Sequence, residues 1–275
     1  MSSTPAELNP DTKNETAIVE LIDVEKSFGR NKVLDRVNFK IMEGKTTIIT
    51  GASGQGKSVI LKHMLGLVYP DSGQVLVFGQ DLCRAGRNKL KEIRTNFGVL
   101  FQNVALFDSM TVYDNVALPL RERMALPEEE IRDIVEEKLA LMDLTGTNDK
   151  YPAQLSGGMQ KRVGLARAIV LNPKIVFFDE PTTGLDARRS HEIYELFYNT
   201  QAQLGYTAVI VSHDVPKIFK LSDYVALLAD GKIQDCLPPE KFQRSDNPHI
   251  KSFVKTTMGN IYLSEKEEID LHETA

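Results

Sequence analysis

Cysteine is scarce in this sequence: 275 residues hold two, Cys83 and Cys236, far apart and in no metal-binding spacing. That excludes a disulfide framework and a cysteine zinc site, and it fits free thiols in a reducing compartment. Long apolar runs are missing too. Stretches such as Ile175–Phe178 and Tyr224–Ala229 fall far short of the roughly 18–20 residues that a membrane-spanning helix needs. Met1–Pro10 has neither the basic start nor the apolar centre of a secretory signal. The expectation is a cytoplasmic chain that meets a membrane only through a partner. Positive charge is also in short supply, with 33 Lys and Arg against 38 Asp and Glu, a net charge of -5. Proteins that coat nucleic acid normally carry a basic field, so no nucleic-acid partner is expected.

What is present suffices for a large core, since 42% of the residues are hydrophobic. The length suits one large α/β domain, or a core with a lobe, better than two independent domains. Residues 1–16 are polar, carry Pro5 and Pro10, and are expected to be a disordered tail. From Ile18 to Ile41 short apolar runs flank a turn at Gly29–Asn31, a strand-like pattern. Thr46–Thr50 reads as a buried strand, Val59–Leu65 as a helix ending at Gly66, and Gln74–Phe78 as another strand. The middle section turns helical. Thr111 and Asp114 have capping-box spacing, Pro119 is expected to stop that helix, and Pro127–Glu130 opens the next. Ile131, Ile134, Val135, Leu139 and Met142 then recur at helical spacing. Lys174–Asp179 and Thr207–Val211 are almost continuously apolar, as parallel strands covered on both faces should be, with a helix between them that ends at Gly205. No internal repeat is visible.

Two glycine-rich turns carry the chemistry. Gly51-Ala-Ser-Gly-Gln-Gly-Lys57-Ser58 fits the phosphate-loop pattern between a strand and a helix. Its backbone N–H groups would wrap phosphates, Lys57 would neutralise the β and γ oxygens, and Ser58 would offer a hydroxyl to Mg²⁺. Leu155-Ser-Gly-Gly-Met-Gln160 opens a second helix about a hundred residues later. It is a second anion site, too distant along the chain to belong to the first loop. Two half-sites in one chain point to two chains sharing two nucleotides. Asp179, at the end of an apolar strand, can hold Mg²⁺, and the adjacent Glu180 suits a general base. His63, His191 and His249 have no such context and read as structural or surface residues.

The phosphate loop, Leu155–Gln160, Asp179-Glu180, Gly184-Leu185-Asp186 and Ser212-His213-Asp214 stand in the order of an ABC-transporter ATPase subunit, which the chain resembles over about residues 18–240. The resemblance implies a P-loop NTPase core with a mostly parallel sheet, an N-terminal antiparallel β subdomain, and a helical lobe inserted at about 90–165. The ATPase domain would span 17–245 and a C-terminal extension 246–275. ATP would contact Gly51, Ser53, Gly54, Gln55, Gly56, Lys57, Ser58 and Val59. Phe28 resembles the aromatic residue that stacks on adenine. Gln102 resembles the glutamine that reaches the metal and the water, joining Ser58 and Asp179 as a metal-binding residue. Ser156, Gly157 and Gly158 would face the γ-phosphate held by the opposite subunit, with Gln160 holding that turn and Asp186 at the dimer seam. His213 resembles the histidine that contacts the γ-phosphate and orients Glu180.

Ser58–Leu67, Leu106–Val116 and Asp246–Val254 are further similar to the ATPases of Mla-type phospholipid transporters. That likeness implies a second copy of the chain, an integral-membrane permease met by Leu106–Val116, a periplasmic lipid-binding protein and a small regulatory subunit. It implies a place on the cytoplasmic face of the bacterial inner membrane and lipid movement between the two membranes. An amino-acid, metal or lipoprotein transporter would share the same catalytic residues, and a non-transport ABC ATPase is the more remote alternative. Ile261, Tyr262 and Leu263 could reach a neighbouring subunit or belong to a disordered acidic tail.

Overall fold

The computed structural model describes residues 16–213 and 218–258, Lys220 and Met258 by their backbone alone. Residues 1–15, Asp214, and Ile261, Tyr262 and Leu263 lie outside the described residues. Two sheets organise the rest. Strands β1 (Ala17–Phe28), β2 (Asn31–Met42), β4 (Ser72–Val77) and β5 (Gln80–Asp81) form an antiparallel sheet in the order β2-β1-β4-β5. The second sheet runs β10-β9-β3-β8-β7-β6, from β3 (Thr46–Thr50), β6 (Phe97–Leu100), β7 (Ile175–Asp179), β8 (Thr207–Val211), β9 (Tyr224–Ala229) and β10 (Lys232–Leu237). Its pairings are parallel except for β10 on β9.

The continuous apolar strands follow from coverage on both faces. Ile49, Ile175, Phe177, Val209, Val211, Ala226 and Leu228 face a core shared with α1 (Lys57–Met64) and the antiparallel sheet. Their neighbours Ile48, Val176, Phe178, Ala208, Ile210, Val225 and Leu227 face the opposite way, into a core with α5 (Gly157–Ile169) and α6 (Ala187–Leu204). Alternate side chains leave a pleated strand on opposite faces, so a two-sided core needs no polar residue between them.

After α2 (Arg87–Arg94) and β6, the lobe packs α3 (Val112–Arg123) and α4 (Glu128–Leu141) onto α5. Thr111 caps α3 as its spacing implies, its Oγ1 accepting from the Asp114 N–H at 3.1 Å. Pro119 does not stop that helix, which continues to Arg123. A proline forfeits one N–H bond and crowds the preceding turn. Here buried Val116, Ala117 and Leu120 hold the helix on both sides of it, and Arg121 is tied to Asp114 at 2.9 Å and to Glu128. The range expected for the lobe also needs correction. Strand β6 falls inside 90–165 and forms the edge of the main sheet beside β7. At the other end, helix Pro248–Met258 is docked on the main core through buried Ile250 and partly buried Phe253.

Candidate functional site

A parallel sheet delivers every loop that follows a strand to one edge, where ligands of such folds bind. Here β3 ends at the glycine-rich loop, β6 at Gln102, β7 at Asp179-Glu180 and β8 at Ser212-His213. Four separate sequence signals become one surface.

Within the glycine-rich loop two glycines are required by space. Gly51 has φ 146, and a Cβ there would lie 2.2 Å from the Leu228 carbonyl oxygen. Gly56 has φ 99, and a Cβ would lie 2.6 Å from Val33 Cγ1. Lys57, the first residue of α1, is buried. Its Nζ donates to the Gly51 and Ala52 carbonyls at 2.9 and 3.1 Å. Burial pulls its pKa down from the usual lysine value, against the opposing charges of Glu180 and Asp179. A desolvated ammonium of this kind gains most from a multiply charged anion. Ser58 Oγ donates to Asp179 Oδ1 at 3.1 Å. Gln55 Oε1 accepts from the Asp230 N–H at 3.0 Å, which moors the loop to the turn after β9.

Glu180 has φ 47 and donates its N–H to the Val211 carbonyl at 2.9 Å. This left-handed residue turns the chain sharply away from Asp179. Glu180 Oε2 lies 2.6 Å from His213 Nδ1, on a histidine whose side chain is largely exposed. The pair has the geometry of a carboxylate base oriented by an imidazole.

The second glycine-rich turn opens α5 to solvent. Ser156 is its N-cap, accepting from the Met159 N–H at 3.3 Å, and Gly157 and Gly158 begin the helix. Unpaired N–H groups and the helix dipole make such an end an anion site. Gln160 Nε2 donates to the Pro152 carbonyl at 2.9 Å and fixes the turn. A Cβ on Gly157 would lie 3.6 Å from Leu185 Cδ2, so this turn adjoins the loop before Asp186. Asp186 caps α6, accepting from the Arg189 N–H at 2.9 Å, and that bond lowers its pKa. Phe28 is 50% exposed at the end of β1, with Lys26 Nζ 5.5 Å from its ring centroid, an accessible aromatic face rather than a core residue.

Residues 34–183 match the sequence profile of the ABC transporter family. The chain belongs to that family. It is an ABC transporter ATPase subunit, and its ABC domain binds ATP. A probable ribonucleotide transport ATP-binding protein mkl of Mycobacterium leprae is 42% identical over 259 residues, 94% of this chain and 75% of that protein. The intermembrane phospholipid transport ATP-binding protein MlaF of Escherichia coli K12 is 37% identical over 237 residues, 86% of this chain and 88% of that protein. The ATP-binding cassette MJ0796, solved as a dimer bound to ADP and Pi, superimposes with a TM-score of 0.72 at 33% identity, over 80% of this chain and 98% of that one.

The structure also brings to this ABC ATPase residues that the motifs do not mark. Lys161 donates to the Gln102 carbonyl. Arg167 donates to the carbonyls of Ala105 and Val104 at 2.7 and 2.6 Å. Val104 and Ala105 have φ 58 and 53, conformations that a β-branched residue resists. Gly164 lies between the two basic residues on α5, and a Cβ there would lie 2.4 Å from Val104 Cγ1. Buried Lys161, half-buried Arg167 and one glycine therefore clamp the Gln102 loop onto α5. Burial lowers the pKa of both cations. The available signal was Arg167 among Val163, Leu165, Ala166, Ala168 and Ile169, a charge on an apolar helix.

Proposed function

We propose that this ATPase pairs with a second copy of itself around two ATP molecules and drives an integral-membrane permease that moves phospholipid between the inner and outer bacterial membranes. One observation carries the pairing. The chain presents two anion sites on different elements, one closed around Lys57 and one opening outward at Ser156–Gly158. The dimeric cassette MJ0796 supports it. In this reading the loop Gly51, Ser53, Gly54, Gln55 and Gly56, with Lys57, Ser58 and Val59, holds the phosphates, and Phe28 stacks on adenine. Ser156, Gly157 and Gly158 of the other copy meet the γ-phosphate, and Asp186 lies at the seam.

Glu180 takes a proton from the attacking water, His213 orients Glu180, and Gln102 would reach the water and a bound Mg²⁺. Ser58, Asp179 and Gln102 offer hydroxyl, carboxylate and amide oxygens, the hard donors that Mg²⁺ prefers. Among the described residues no group of three His, Cys, Asp or Glu forms a metal cage. Mg²⁺ is commonly held by one or two carboxylates together with the substrate's own phosphates, and Asp179 would supply one carboxylate. When bound, Mg²⁺ would neutralise charge building on those phosphates. Loss of the γ-phosphate removes the link between copies, so hydrolysis opens the dimer.

No helix among the described residues is long and apolar enough to cross a membrane. The proposed site of action is the cytoplasmic face of the inner membrane, reached through the permease. Exposed Phe107, within Leu106–Val116, and exposed Phe101, next to Gln102 in sequence, support docking of the permease along Leu106–Val116. A periplasmic lipid-binding protein and a small regulatory subunit complete the proposed assembly. The E. coli relative named for phospholipid supports this cargo, whereas the mycobacterial relatives are named for ribonucleotides. Purifying the tagged chain from detergent-solubilised membranes and identifying its partners by mass spectrometry tests the cargo. A permease together with a lipid-binding protein, and bound phospholipid in the extract, is expected. A permease whose purified complex binds nucleotides or amino acids as cargo contradicts it.

A further inference from the structure

The Glu180–His213 contact spans two loops that leave different strands, and nothing in either motif says what keeps the loops together. Behind them lies a chain of buried hydroxyls. Tyr194, on α6, is 1% exposed. Its hydroxyl lies 2.8 Å from Thr182 Oγ1 and 3.0 Å from Ser212 Oγ. Thr182 stands two positions after Glu180 in the turn closed by the Thr183 N–H to Glu180 carbonyl bond. Ser212 immediately precedes His213 and is tied to β3, its N–H donating to the Ile49 carbonyl at 3.2 Å. Thr182 and Ser212 are themselves buried, at 8% and 1% exposure. A tyrosine hydroxyl in a core otherwise shared with Phe197 and Phe178 costs free energy unless it is bonded, and packing alone would be met by phenylalanine.

We propose that Tyr194 is a positioning residue for hydrolysis, its hydroxyl bridging the Glu180 turn and the His213 loop so that carboxylate and imidazole meet in register. The inference rests on the roles given above to Glu180 and His213. Tyr194 touches neither reacting atom and acts through Thr182 and Ser212. Chains of buried hydroxyl bonds reinforce one another, so this hydroxyl adds a side-chain tie to the backbone bond from the Glu180 N–H to the Val211 carbonyl.

The test is ATP hydrolysis by the full-length Tyr194→Phe chain, which keeps the ring and removes one oxygen. About a tenfold fall in kcat with an unchanged KM for ATP is expected. Thr182→Val and Ser212→Ala remove the partners without touching the ring and should fall likewise. They decide the matter if the tyrosine variant does not fold. Placed in a His213→Ala background and followed by single-turnover hydrolysis, Tyr194→Phe should cause no further loss. Wild-type kcat in Tyr194→Phe, or an equal additional loss without His213, overturns the positioning role. Wild-type hydrolysis by Glu180→Gln and His213→Ala would instead overturn the roles on which it rests.

Discussion

Ser58 and Asp179 stand 121 positions apart, yet the serine hydroxyl donates to the carboxylate at 3.1 Å. The contact joins the first turn of α1 to the end of β7, so two of the three oxygen donors proposed for Mg²⁺ are placed by the backbone of the sheet.

Removing either donor should therefore weaken the use of metal before it weakens the fold. Ser58→Ala is expected to raise the Mg²⁺ concentration giving half-maximal hydrolysis on the order of tenfold. Its thermal midpoint should stay near that of the parent chain. A metal titration of ATPase rate checks this. An unchanged Mg²⁺ dependence contradicts the assignment.

The clamp on the Gln102 loop predicts a different phenotype. Arg167→Leu leaves the Val104 and Ala105 carbonyls without their donor; exposed Ala105 can turn to water, but an unpaired group at buried Val104 costs about 1–3 kcal/mol. Gly164→Ala forces a methyl against Val104 Cγ1 and should cost about 1–3 kcal/mol by overpacking. Both variants should lower the midpoint of denaturant unfolding. Chymotrypsin should also cut sooner after Phe101 or Phe107. Wild-type unfolding and cleavage in both would contradict the clamp.

Acid should loosen the lobe in a way that depends on Arg121. Its guanidinium holds the carboxyls of Asp114 and Glu128 below their ordinary values of 3.8 and 4.5. A carboxyl depressed by folding contributes stability above its unfolded pKa, and that contribution is lost as pH falls through the lower folded value. Melting temperatures measured from pH 6 downward should thus drop below about pH 4.5. The drop should be shallower in Arg121→Met, because the variant has less to lose. These groups are exposed, so the effect is small and screened by salt. Equal pH slopes in both chains would contradict it.

The main sheet was legible because burial on both faces leaves an unmistakable apolar run, as at Lys174–Asp179. The phosphate loop was legible because glycine spacing reports where Cβ atoms cannot fit. Pro119 misled, since the rule that proline ends helices is local while the burial of Val116 and Leu120 is tertiary. The start of the lobe was misplaced because β6 is only four residues long and gives little period to read. Tyr194, Lys161 and Arg167 escaped notice for a common reason. Each acts on backbone or hydroxyl groups that are distant in sequence, and no spacing rule connects them.

The central claim is a catalytic site completed by a second copy of this chain. Glu180→Gln removes the base while keeping the shape of the side chain, and loss of a general base typically slows hydrolysis by about 10²–10⁴-fold. Size-exclusion chromatography with light scattering, run with and without ATP and Mg²⁺, reads the assembly directly. The account predicts a Glu180→Gln chain that is trapped as a dimer by ATP and hydrolyses it very slowly. A variant that stays monomeric with ATP and hydrolyses it at the parent rate would contradict both the base and the shared site.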